Sequence, residues 1–94
     1  MSLERLASKY ISSAEHVLDT IEIPEETRVL SREGVEEVLE CAKAYLHDAK
    51  YYFNRKRFEV SLPSVAYCEG LLDALKMLGA VRFEWPGEKG KGEK

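Results

Sequence analysis

Between Ala42 and Gly79 the chain carries most of its large aliphatic and aromatic side chains, and it carries them at helical spacing. The run AKAYLHDAKYYFNRKRFEVSLPSVAYCEGLLDALKMLG is predicted to form two helices joined by the basic turn Asn54-Arg55-Lys56-Arg57. In the first, Val35, Val38, Leu39, Ala42, Tyr45, Leu46, Ala49, Tyr52 and Phe53 form one apolar stripe. Glu36, Glu40, Lys43, His47, Lys50 and Asn54 lie opposite. Ser31 is the expected N-cap, and Glu33, Glu36 and Glu37 complement the positive end of the helix dipole. In the second helix, Val65, Ala66, Tyr67, Cys68, Leu71, Leu72, Ala74, Leu75, Met77 and Leu78 spread over most of the wheel. Only Glu69, Asp73 and Lys76 make a charged stripe. A helix apolar nearly all round is covered on more than one side, by its neighbours in the chain or by a second subunit. Pro63 is tolerated only in a first turn, so this helix is expected to start late, near Leu62, or to open irregularly.

Upstream, Leu3, Leu6, Ala7, Tyr10, Ile11, Ala14, Val17, Leu18 and Ile21 predict another amphipathic helix, capped by Ser2 and ended by Pro24. Glu25 to Leu30 form a connection that Val29 and Leu30 are expected to pin to the bundle end. Downstream, Gly79 suits a C′ position. Val81, Phe83 and Trp85 alternate with Arg82 and Glu84, a period of two that predicts an extended segment. Pro86 stops it, and GEKGKGEK has no apolar residue and is expected to be disordered. The expected fold is all-α: a three-helix up-down-up antiparallel bundle, with helices over about residues 2–22, 31–55 and 59–79. One domain spans 1–85, with a short extended C-terminal segment, and 86–94 form the tail.

Composition narrows the classes of function. At 94 residues there is room for one core, and 45% hydrophobic content is ordinary for a globular chain. A net charge of −3 provides no global field for nucleic acid or anionic membrane. Cys41 and Cys68 have neither CxxC nor CxxH spacing, which argues against zinc and a disulfide scaffold and fits a reducing compartment. No segment has the apolar run of a signal peptide or a membrane span, so a soluble cytoplasmic protein is expected. No Ser-His-Asp or Cys-His pattern, glycine-rich phosphate loop or ExxH pair occurs, so no catalytic residue, metal ligand or cofactor is assigned.

Three groups of residues remain as candidate sites. Asp48, Tyr67, Glu69 and Asp73 border the hairpin, and Asp48 falls level with Val65 to Tyr67 if the two helices pair about Arg57. That arrangement suits a polar pocket or an acid–base site. Its plainer reading is a tyrosine hydroxyl finding a partner at the core edge. Arg55, Lys56 and Arg57, with Lys50 and Tyr51, interleave cations and aromatics in the manner of a nucleotide or RNA surface. Cations at a helix C-terminus are also expected from the dipole alone. The third group is the surplus apolar surface of Leu71, Leu75, Leu78, Phe83 and Trp85. It serves as a protein interface or is covered by the C-terminal segment folding back.

The hairpin also carries a family pattern. Tyr45, Asp48, Ala49, Tyr52 and Phe53, followed by Tyr67, Glu69, Gly70, Leu71, Leu72, Asp73 and Ala74, resemble the small archaeal family catalogued as domain of unknown function 357. Cys68 where alanine is usual, Pro63 in the third helix and a turn without glycine depart from that pattern. The resemblance implies a short helical bundle with no assigned activity. Through related modules attached to nucleotidyltransferase-like domains, it also implies an accessory or partner role. The leading expectation is a non-enzymatic interaction module, a homodimer or a partner of a larger protein. The rival is a nucleotide- or RNA-binding accessory domain.

Overall fold

The computed structural model describes residues 2–25 and 31–87. Three helices follow one another: α1 (Leu3–Thr20), α2 (Arg32–Asn54) and α3 (Phe58–Met77). Residues 26–30, including Val29 and Leu30, and the tail beyond Gly87 lie outside the described residues.

Local chemistry sets the helix ends. Ser2 Oγ accepts from the Arg5 N–H (3.1 Å) and Ser31 Oγ from the Gly34 N–H (3.0 Å), so each serine satisfies an amide that its first turn leaves without a partner. At the end of α2, Lys56 N–H donates to Phe53 O (2.9 Å) and Arg57 N–H to Tyr52 O (2.8 Å). This is a Schellman closure, and Lys56 holds the left-handed position with φ 61°. At the end of α3 the same closure recurs: Gly79 N–H donates to Lys76 O (3.0 Å) and Ala80 N–H to Leu75 O (2.9 Å), with Gly79 at φ 75°. Two unlike residues thus perform one backbone task.

The helices alternate in direction. Tyr45 stacks on Tyr67, and the Ser61 hydroxyl donates to the Ala49 carbonyl (2.7 Å), which sets α3 antiparallel to α2. Lys50 pairs with Glu15, and Ser8 and Ile11 share a small cleft with Phe53 and Asn54, which sets α1 antiparallel to α2. The bundle is therefore up-down-up. Its core alternates small and large residues. Ala7 and Ala14 on α1, and Ala42 and Ala49 on α2, are fully buried and bring the backbones close, while Leu72, Val17, Val35 and Val65 fill the space between.

The third helix departs from expectation at Pro63. It starts at Phe58 and runs unbroken through the proline. The amide that Pro63 lacks would have bonded to the carbonyl of Glu59, and both residues are exposed, so the missing bond falls on the solvent side of the helix. Ser61 and Val65, buried on the opposite side, hold the helix to its neighbours across this point.

The C-terminal extension folds back over the bundle end. Glu22 and Arg82 exchange backbone hydrogen bonds (2.9 and 2.8 Å) as an isolated antiparallel bridge. The period of two is realised: Val81 and Phe83 are buried, while Arg82 and Glu84 are exposed.

Candidate interaction surface

The folded-back segment decides where apolar surface is left over. Leu75 and Phe83, both expected at an interface, lie in the chain's own core at 2% and 8% exposure. Trp85 is half-buried, stands edge-on to Phe83, and donates from Nε1 to Asp73 Oδ1 at 2.7 Å. Leu71 is half-buried and Leu78 is 48% exposed. The surplus apolar area lies elsewhere, on the outward face of α3.

That face follows from helical spacing. Ser61, Val65, Cys68, Leu72 and Leu75 point into the bundle. On the opposite side stand Pro63, Ala66, Tyr67, Gly70, Ala74, Met77 and Leu78, all exposed. Tyr67 is 63% and Met77 86% exposed. Pro63, Ala66, Tyr67, Gly70 and Leu71 line a shallow apolar groove of about 510 Å³. Its floor is low because Gly70 has no side chain, and a Cβ built there would meet nothing within 4 Å. Tyr67 forms one wall, held by its ring stack on Tyr45 at 4.9 Å and 14°. Among the described residues of α3, Asp73 borders this face and Glu59 lies on it one turn before Pro63. Sequence reasoning named Leu71 and Leu78 here but not Ala66, Gly70, Ala74 or Met77. The i, i+4, i+8 spacing of the three small residues was the available signal.

The polar candidates do not converge. Asp48 is exposed, with Oδ1 3.9 Å from His47 Nδ1. Tyr67 meets an aromatic ring rather than a carboxylate, and Asp73 is engaged by Trp85. Glu69 is half-buried, and its carboxyl is held above the usual carboxylate range by burial and then by the Asp73 charge one turn on. Among the described residues no three His, Cys, Asp or Glu side chains gather as a metal site.

The basic turn is also dispersed. Arg57 Nε is 2.9 Å from Glu59 Oε2, and that hydrogen bond lowers the titration of Glu59. The Arg55 guanidinium lies 4.7 Å over the exposed ring of Tyr51. Lys50 is paired with Glu15 on α1. Cys68 is buried, which pushes its thiol up to about 11, whereas Cys41 is exposed; both are free thiols. A wider depression of about 890 Å³ at the start of α2 is lined by Glu33, Glu36, Glu37 and Glu40 with Ile23, Leu39 and Lys43.

A family described as "Protein of unknown function (DUF357)" matches residues 9–81, the span from early α1 to the first residues of the folded-back segment. The chain belongs to the DUF357 family. The match takes in all three helices, so membership extends beyond the hairpin motif that resembled it. Phe83 and Trp85 lie outside the matched span, although Asp73, to which Trp85 is tied, lies within it. Nothing among the curated proteins or the solved structures matches the chain. Among the described residues no helix is long and apolar enough to cross a membrane.

Proposed function

We propose that this DUF357 chain is a non-enzymatic helical docking module whose working surface is the outward face of α3. The observation that carries the reading is the exposure of Tyr67, Met77 and Leu78 along one side of a helix whose other side is already buried in the chain's own core. Contiguous apolar surface of this kind is costly to leave in water and marks a partner site. The polar candidates draw less support, because Asp48 is exposed beside His47, Tyr67 stacks on Tyr45 and Asp73 is held by Trp85. The accessory nucleic-acid reading would rest on Arg55, Lys56 and Arg57. It draws little support from their geometry, since Arg57 is paired with Glu59 and Arg55 already occupies the Tyr51 ring.

The test is a paired capture from extracts of the native cell, using the full chain and its Gly70→Arg variant. A Cβ at position 70 meets nothing within 4 Å, and the rest of an arginine side chain there occupies the groove. A protein retained by the wild type and lost by the variant supports docking through α3. Equal recovery by both, or retention of RNA instead, refutes it.

A further inference from the structure

We propose that the occupant of the α3 face is a second copy of this chain, packed antiparallel so that the two α3 helices cross near Ala66 and Gly70. The inference rests on the docking reading above and names its partner.

The rest of the chain does not supply the cover. The exposed stripe runs from Pro63 to Leu78, 16 residues and about 24 Å at the helical rise. Residues 88–94, EKGKGEK, have no apolar side chain to offer it. The segment from Val81 to Trp85 is already committed to the core and to Asp73.

Charge then selects the partner. The α2 flank is polarised along its length. At its start, Glu36 and Glu40 are paired with Arg32 and Lys43, which leaves Glu33 and Glu37 as surplus acids among the described residues. At its end, Arg57 is paired with Glu59, while Arg55, stacked over the Tyr51 ring, and Lys56 have no carboxylate partner among the described residues. Glu37 and Arg55 are 18 residues apart (55 − 37), or five turns, so they stand on one line along α2 about 27 Å apart. An antiparallel copy lays the acidic end of each chain beside the basic end of the other. A two-fold axis makes that complementary contact twice. A parallel two-fold copy would carry the two α2 flanks to opposite sides of the α3 pair and lose this contact.

Shape agrees with charge. Ala66, Gly70 and Ala74 let two helix backbones approach closely at the centre, while Tyr67, Met77 and Leu78 project on either side of it. Antiparallel pairing about this centre sets Met77 of each copy over the groove beside Pro63 of the other. One helix face is smaller than a standard interface, so the dimer is weak and reversible, in the range of about 10 to 100 μM.

Sedimentation equilibrium of the full chain from about 10 μM to about 1 mM, at low and moderate salt, tests this. The expected result is a reversible dimer that weakens with salt. Gly70→Arg stays monomeric throughout, with an unchanged or raised melting temperature, because a Cβ at this position meets nothing within 4 Å and arginine is the better helix former. Arg55→Glu weakens the dimer about tenfold, and adding Glu37→Arg restores it. A wild type that remains monomeric at the highest concentration overturns the proposal, as does a dimer that Gly70→Arg leaves intact. If the wild type is monomeric but Gly70→Arg still loses a captured protein, docking through α3 stands and only its occupant is wrong.

Discussion

Trp85 Nε1 donates to Asp73 Oδ1 at 2.7 Å, and this bond fastens the end of the folded-back segment to α3. The tie matters because the segment behind it contributes Val81 and Phe83 to the core. Asp73→Ala removes the acceptor and leaves a half-buried indole N–H without its bond, a loss of about 1 kcal/mol. Asp73→Asn keeps an acceptor oxygen and loses less. Trp85 is the only tryptophan, so its emission reports the tie directly. It shifts to the red in Asp73→Ala and stays near wild type in Asp73→Asn. Identical spectra and melts for all three proteins would show that the tie is not formed in solution.

Lys56 occupies the left-handed position of the α2–α3 turn at φ 61°, where its Cβ crowds the backbone. Gly79 fills the equivalent position after α3 without that penalty. Among the described residues, the Lys56 side chain makes no hydrogen bond or ion pair that compensates. Lys56→Gly is therefore expected to stabilise the protein by about 1 kcal/mol in denaturant melts, with an unchanged denaturant slope. A destabilised variant would mean that glycine's extra freedom in the unfolded chain outweighs the relieved strain.

These two sites show why some of the structure was legible in the sequence and some was not. The stripes of α1 and α2 were readable because one periodicity has one solution: Ala7, Ile11, Ala14 and Val17, like Val35, Leu39, Ala42 and Leu46, turn inward as their spacing requires. The alternation of Val81, Phe83 and Trp85 was equally plain, but whether the segment turned inward or outward depended on Glu22 meeting Arg82, a pairing 60 residues apart (82 − 22) that no local pattern encodes. Pro63 misled because its cost depends on which way it faces, and it faces water. Register alone set Asp48 level with Val65 to Tyr67, whereas the Tyr45–Tyr67 and Ala49–Ser61 contacts put Asp48 nearer the level of Leu62 to Ser64. Nor could register show that the Tyr67 ring would lie flat on Tyr45 instead.

The two cysteines should behave as different chemical species. Cys68 is fully buried with its thiol pushed up to about 11, so it stays protonated and shielded, whereas Cys41 faces solvent. An aromatic disulfide reagent is expected to modify one thiol in the folded protein and both after denaturation. Cys41→Ser abolishes the fast reaction without loss of stability. Cys68→Ser places a hydroxyl in the core and costs about 1–3 kcal/mol. Two fast thiols in the native protein would place Cys68 at the surface.

Glu69 gives the bundle a pH dependence of definite sign. Its carboxyl titrates above the ordinary range in the folded chain, first because it is half-buried and second because Asp73 is negative. The folded state therefore holds this proton more tightly than the unfolded state does. For such a group the favourable contribution is complete below the unfolded titration, near pH 4.3, and is lost as pH rises through the folded one. At neutral pH ionised Glu69 works against folding. Glu69→Gln, which is never charged, should be more stable than wild type at pH 7, and the advantage should shrink as the pH falls and vanish below about pH 4. Combining it with Asp73→Ala tests the second cause. With the neighbouring charge gone, Glu69 ionises more easily, so the benefit of glutamine at pH 7 becomes smaller in that background. Chemical denaturation of the four proteins between about pH 4 and pH 8 measures both effects. A stability gap that does not change with pH would show that burial and the Asp73 charge do not set the titration of Glu69.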